Sequence, residues 1–229
     1  MPPLRFRPAH TDRVFEGKVV TVAVASLPQQ HAEHAEGGVD RFYEETRDLR
    51  LTGFLFFLFS DVVLFSAFIF AYLYLRNSGQ SWPPPGIARL DVAFAAWNSV
   101  VLFGSGATMH YALENWKHGN FNKYAGFLIA TIVLGIAFLG GQAYEYMHLY
   151  FVDKVSWAGS GIFGASFFTL TGMHGFHVAV GVVYLTVLLL QSVHGVYTKE
   201  KYFGLTAGTL YWHFVDIIWV VLFSIFYLI

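Results

Sequence analysis

Cysteine is absent from this chain of 229 residues. Without thiolates the chain cannot form a disulfide, bind an iron–sulfur cluster, supply a thiolate ligand to haem or build a Cys-rich copper centre. Charge is also scarce, because Asp, Glu, Lys and Arg make up 13% of the residues and the net charge is −1. A nearly neutral chain offers no basic surface for nucleic acid. In their place the chain has 55% hydrophobic and 19% aromatic residues.

The apolar residues are not spread evenly. Charged residues are concentrated in the first 50 positions, and long apolar blocks follow. Five blocks are long enough to cross about 30 Å of hydrocarbon at about 1.5 Å per residue. The sequence therefore predicts an all-α fold, a polytopic transmembrane bundle of five helices. The predicted spans are residues 51–75, 92–113, 125–147, 161–190 and 206–229.

Residues 1–50 are predicted to form a polar N-terminal tail. A secretory signal peptide has its apolar core near the start, so we expect this tail to be retained. His31 and Glu33 are candidate metal ligands within it, but no further partners are defined around them, which favours a solvated tail. Between the first two spans, Ser-Trp-Pro-Pro-Pro-Gly at 81–86 predicts a rigid loop at the membrane surface.

The distribution of Lys and Arg predicts the orientation. With five crossings, the tail and the second and fourth loops carry eleven of these residues, and the first and third loops carry three. The positive-inside rule then places the N-terminus in the cytoplasm and the C-terminus outside.

Several ionisable residues fall within the predicted spans, where each costs about 2.5–3.5 kcal/mol on insertion scales and needs a partner or a function. They are Asp61, His174, His177, His213 and Asp216, with His110 and Glu145 nearer the helix ends. His174 and His177 share one helix face, as do His213 and Asp216, because each pair is three residues apart. Ser60 and Asp61 lie in an otherwise apolar stretch and must face protein, a lipid head group or water.

Two interpretations of these residues remain open. The favoured one is a buried hydrogen-bond network that joins helices one, four and five, with Glu145 either in it or anchored at the surface. The other is ligation of haem or a metal, or a proton relay. Two haems in series would need His residues about a dozen positions apart on each of two helices, and no predicted helix has such a pair.

Five short sequence motifs follow one another along the chain. They are FSDVVLF at 59–65, WPPPGI at 82–87, GQAYEY at 141–146, GMHGFHV at 172–178 and YWHFVDIIW at 211–219. Together they resemble subunit III of the haem-copper terminal oxidases, that is cytochrome c oxidase subunit III, in its short five-helix bacterial form.

The resemblance implies a non-catalytic subunit that binds phospholipid and supports proton uptake and stability of the catalytic subunit. It implies that helices one and two are splayed from helices three to five around a lipid-holding cleft. It also implies no cofactor in this chain, with haem and copper in partner subunits. The implied partners are oxidase subunit I, directly, and subunit II, while a small subunit IV and a respiratory supercomplex are left open. The implied location is the bacterial cytoplasmic membrane.

Two positions depart from the family pattern. Many members have Glu at the position of Asp61, and some carry a second Glu where this chain has Phe94. The nearby Asp91 could substitute only at the surface, so the resemblance supports a proton-related or lipid-related role for Asp61 and Ser60 alone. Alternatives kept open are subunit III of a quinol oxidase, a membrane cytochrome with haem b, and a small channel or transporter.

Overall fold

The structure is a computed structural model. It describes residues 14–15, 18–19, 29–77, 90–157, 159–195, 197 and 202–228, with side chains from residue 48 onward. The chain divides into two compact units, residues 1–48 and 49–229. In the first unit, strand β1 (Val14–Phe15) pairs antiparallel with strand β2 (Lys18–Val19). The side chains of His31 and Glu33 and the proline-rich loop lie outside the described residues.

The predicted all-α bundle is confirmed, with five helices long and apolar enough to cross a membrane in the part of the chain that the structure describes. Helix α1 begins at Gln29, well before the predicted first span, and includes the candidate membrane span Asp48–Arg76. A π-helical turn, Ser224–Leu228, continues α5. The helices are α1 Gln29–Arg76, α2 Val92–Lys117, α3 Phe121–Phe151, α4 Gly161–Val193 and α5 Phe203–Phe223.

Local signals explain both ends of α2. At its start, the Oδ1 atom of Asp91 accepts a hydrogen bond of 3.0 Å from the Phe94 backbone N–H, as an N-cap residue does. At its end, Gly119 adopts a φ of 76°, and its N–H donates to the Trp116 carbonyl at 2.9 Å. Since α3 begins at Phe121, α2 and α3 form a tight antiparallel hairpin. Asp91 is thus a helix cap.

Small residues let α2 and α3 pack closely. The Asn98 side-chain amide donates to the Phe138 carbonyl at 3.2 Å. Opposite Asn98 lies Gly141, where an added Cβ would come within 2.8 Å of the Asn98 Cγ atom. Further along the pair, the hydroxyl oxygens of Thr108 and Thr131 are 2.8 Å apart. Backbone approach and interhelical hydrogen bonds of this kind are what join helices in lipid.

The grouping of the helices differs from the expectation that helices one and two stand apart from the other three. Helix α2 packs along α3 and against α5. Among the described residues, α1 has ring contacts with α4, through Phe65, and with the C-terminal turn, through Tyr72. The physical reason lies in α2, whose Ser and Gly residues allow α3 and α5 to approach it. A lipid-holding cleft stays a prediction.

Helix α1 is attached along one narrow seam. Leu58, Phe65 and Tyr72 are its buried apolar side chains in the described part, and they recur every seven residues. The Phe65 ring lies 5.1 Å from the His177 ring on α4, and the Tyr72 ring lies 4.6 Å from Phe226. Most other side chains of its membrane-length part are exposed, among them Phe56, Phe59, Val63, Phe70 and Tyr74.

Candidate functional site

Asp61 and His177 face each other where α1 crosses α4. The Asp61 Oδ2 atom lies 4.0 Å from His177 Nε2, and both side chains are largely buried. Asp61 Oδ2 has no hydrogen-bond partner among the described residues. Counting about 1.5 Å per residue back from Arg76, where α1 ends, places this carboxyl about 22 Å along the helix. The pair therefore lies near the middle of the membrane.

The hydrogen bonds of His177 restrict which ring nitrogen can exchange a proton with Asp61. Its Nδ1 atom is 2.7 Å from the Met173 carbonyl oxygen. A carbonyl can only accept, so Nδ1 carries a hydrogen, and the exchangeable position is Nε2, which faces Asp61. A single proton between Nε2 and the carboxyl would relieve the mismatch of two acceptors. The Tyr211 hydroxyl on α5 donates to the His177 carbonyl at 3.0 Å and holds this turn.

Ser60 does not join the pair. Its hydroxyl donates to the Phe57 carbonyl at 2.7 Å, within its own helix, and the residue is exposed. The sequence grouped Ser60 with Asp61, whereas the structure gives Ser60 a local hydrogen bond on the outer face of α1.

His174 is fully buried between α4 and α5. Its Nε2 lies 3.3 Å from the Val215 carbonyl oxygen, and its ring packs against the rings of Trp219, at 4.9 Å, and Phe138, at 5.8 Å. The carbonyl requires a hydrogen on Nε2, so in the neutral ring Nδ1 is an acceptor, and it has no partner among the described residues. His174 thus joins α4 to α5 and contacts α3.

His213 and Asp216 form a second acid–imidazole pair, within α5. The His213 Nδ1 atom is 3.7 Å from Asp216 Oδ2. The carboxylate lies directly over Gly106 of α2, where any Cβ would overlap it. The His110 ring of α2 is 6.4 Å from the His213 ring. This pair therefore sits at the contact between α2 and α5, away from Asp61.

Glu145 is a buried anchor for the C-terminal turn. Its Oε1 accepts a hydrogen bond of 2.8 Å from the Tyr227 hydroxyl, and its Oε2 accepts one of 3.2 Å from the Gln142 amide. All three side chains are buried. The contact joins the last turns of α3 to the π-helical turn, so Glu145 is engaged inside the protein.

The structure thus places six of the seven predicted site residues in four contacts: Asp61 with His177, His174 with α5, His213 with Asp216, and Glu145 with Tyr227. The seventh, Ser60, has only its local hydrogen bond among the described residues. The shared role proposed for them, a network that fastens the helices, stays a prediction. Among the described residues, no group of three or more His, Asp or Glu side chains is placed to hold a metal ion.

Sequence reasoning missed a pair of tryptophan–serine contacts. Trp212 Nε1 donates to Ser105 Oγ at 2.9 Å, and Trp219 Nε1 donates to Ser99 Oγ at 2.8 Å. Both indoles are buried between α5 and α2. The signal was the seven-residue spacing of the tryptophans, which places both on one helix face.

Comparison with known proteins gives a consistent result. The family model described as cytochrome c oxidase subunit III matches residues 34–229. Cytochrome c oxidase subunit 3 of Synechocystis sp. is 37% identical over 185 residues, which cover 79% of this chain and 76% of the relative. The protein of the same name from Thermostichus vulcanus is 32% identical over 191 residues, which cover 83% of this chain and 92% of the relative. That of Drosophila melanogaster is 35% identical over 181 residues, which cover 76% of this chain and 67% of the relative.

Proposed function

The chain belongs to the cytochrome c oxidase subunit III family, and on that premise we propose that it is a non-catalytic subunit of a proton-pumping terminal oxidase. The oxidase transfers electrons from cytochrome c to oxygen, with its haem and copper in partner subunits. This chain lies beside subunit I in the bacterial cytoplasmic membrane, with its N-terminus in the cytoplasm. Its role is to bind phospholipid, support proton uptake and stabilise the catalytic subunit.

The Asp61–His177 pair is the observation that carries the proton-related role. A carboxyl group and an imidazole nitrogen lie 4.0 Å apart, a separation that one shared proton would shorten to a hydrogen bond. The imidazole is oriented so that its exchangeable nitrogen faces the carboxyl. The geometry allows such a pair to share a proton at a depth where acyl chains offer no acceptor.

The exposed surface of α1 supports the lipid-related role. Beyond its narrow buried seam, α1 presents large apolar side chains outward, including Phe56, Phe59 and Phe70. In a membrane these side chains contact acyl chains. Asp61 is on the same helix, between its exposed face and its buried seam. Phospholipids ordered along α1 would therefore cover the Asp61–His177 pair.

Purification of this chain from its own membranes, through an affinity tag, tests the assignment. We expect the oxidase subunits I and II to be recovered with it, together with the absorption of their haem. The chain expressed and purified alone should show no haem band. A stoichiometric haem spectrum from the isolated chain would contradict the proposal and favour the cytochrome alternative. Recovery with a quinol-oxidising complex would change the electron donor but keep the subunit role.

A further inference from the structure

An outward surface of α2 and α5 carries imidazoles at a depth where lipid surrounds the chain. The His213 side chain is 39% exposed, and His110 beside it is exposed too. His110 lies about 10 Å, and His213 about 15 Å, from the nearer ends of their helices at about 1.5 Å per residue. We define the polar outer face as His110, His213, Asp216 and the adjoining Ile217, which is 63% exposed.

The hydrogen bonding of this face is incomplete within the chain. His110 makes ring contacts with Tyr111 and His213 but no hydrogen bond to any described residue. Acyl chains can neither donate nor accept, so exposure of the two imidazoles to lipid would be costly. The Asp61–His177 pair differs, because both its side chains are largely covered.

We propose that the polar outer face is the surface on which a transmembrane helix of the catalytic oxidase subunit docks, through a hydrogen-bonding side chain or backbone carbonyl near the middle of the membrane. The inference rests on the proposed function and names the face that serves it. The imidazoles of this face need a partner that donates or accepts a hydrogen bond inside the membrane, and the catalytic subunit is the chain that the proposed function places beside this one. Gly106 contributes by letting Asp216 lie beneath the imidazoles and orient His213.

Photo-crosslinking in the intact complex tests the location of this contact. A photoreactive amino acid is placed at Ile217 or, as the matched control, at Val183 of α4, which is 64% exposed. We expect a crosslinked product with the mass of this chain plus the catalytic subunit from position 217, and products with lipid only from position 183. Products with lipid only from 217, or with a second copy of this chain, would overturn the proposal.

A substitution tests the hydrogen bonding. We expect His110→Leu to speed the release of this chain from the purified oxidase in detergent about threefold, and up to tenfold, as loss of one interhelical hydrogen bond does. The control is Val183→Leu, which should release at the unmodified rate. Release of the His110→Leu complex at that same rate would contradict the inference.

These outcomes separate the inference from the proposed function. If the tagged chain fails to recover any oxidase subunit, the proposed function fails. If the oxidase is recovered but position 183 crosslinks to it and position 217 does not, the proposed function stands and the docking face is wrong.

Discussion

The Trp219 indole nitrogen donates to the Ser99 hydroxyl at 2.8 Å, which joins the last turns of α5 to the first turns of α2. Ser99 in turn donates to the Ala95 carbonyl, so its hydroxyl acts as both an acceptor and a donor. The same arrangement recurs at Trp212 and Ser105. The two contacts fix the register of α5 on α2, and with it the place of Asp216 over Gly106.

Removal of the indole N–H should modestly weaken the packing of α5 against α2. We expect Trp219→Phe to lower the free energy of unfolding by about 0.5–1.5 kcal/mol, because interhelical hydrogen bonds in membranes average about 0.6 kcal/mol and a smaller ring adds a packing loss. The measurement is thermal unfolding of the purified complex. Ser99→Ala removes only the acceptor, and the double variant should cost less than the sum of the two singles. Strictly additive losses would show that the contact contributes nothing.

A methyl group added at Gly135 should prevent the close packing of α3 against α5. Its Cβ would lie 2.8 Å from the Trp212 ring, and overpacking of this kind costs about 1–3 kcal/mol. Gly140→Ala, in the same helix, meets nothing within 4 Å and gains the same helix propensity. We expect Gly135→Ala to reduce the yield of assembled oxidase in membranes, and Gly140→Ala to leave it unchanged. Equal yields would mean that the helices have room to shift.

Asp61→Asn should impair turnover without preventing assembly. The amide keeps the size of the side chain but cannot exchange a proton with His177 Nε2, so we expect a several-fold loss of oxygen consumption sustained over repeated turnover, or a loss of bound phospholipid. Ser60→Ala is the control, because that hydroxyl bonds only to its own helix. Oxygen consumption and phospholipid content both matching the unmodified complex would remove Asp61 from the mechanism.

Asp216→Ala and His213→Ala should each impair assembly, because each leaves one member of the pair without its partner inside the membrane. Loss of a buried partner costs about 1–3 kcal/mol, and more when the remaining group is charged. The readout is the amount of this chain recovered with the oxidase subunits. Normal recovery of both variants would contradict the fastening role of these residues.

The C-terminal turn should loosen when Glu145 loses its phenol partner. We expect Tyr227→Phe to cost about 1.5–3 kcal/mol, the range for hydrogen bonds to charged groups, if the carboxyl is ionised, and about 1 kcal/mol if it is neutral. Glu145→Gln and the double variant complete a cycle whose coupling should exceed about 0.5 kcal/mol. Protease digestion of the C-terminus in detergent would report the loosening. A coupling near zero would show that the hydrogen bond does not hold the turn.

Hydrophobic length was enough to predict five helices, because crossing a membrane requires about 20 apolar residues whatever their neighbours are. The same information could not predict which helices touch. The family resemblance implied that α2 stands apart with α1, whereas the contacts of Ser99 and Gly106 place it against α5, and such contacts depend on the rotation of each helix about its axis.

The candidate site was predicted as a set of residue types at a common depth. Their depth follows from counting, and the pairs His213–Asp216 and Asp61–His177 do meet. The sequence could not show that Glu145 bonds Tyr227, because these residues are 82 positions apart and come together only after α5 has packed. It also assigned Asp91 to the surface without recognising that it caps α2.

The single seam of α1 has a consequence for the order in which the chain is made. Helix α1 precedes α2 to α5 in the chain, but its ring contacts at Phe65 and Tyr72 are with His177 and Phe226, which are synthesised more than 100 residues later. The hairpin of α2 and α3 is complete long before that. These two contacts of α1 therefore form only after α4 and the C-terminal turn have been made, and a nascent chain that stops before Phe226 lacks the ring against which Tyr72 packs.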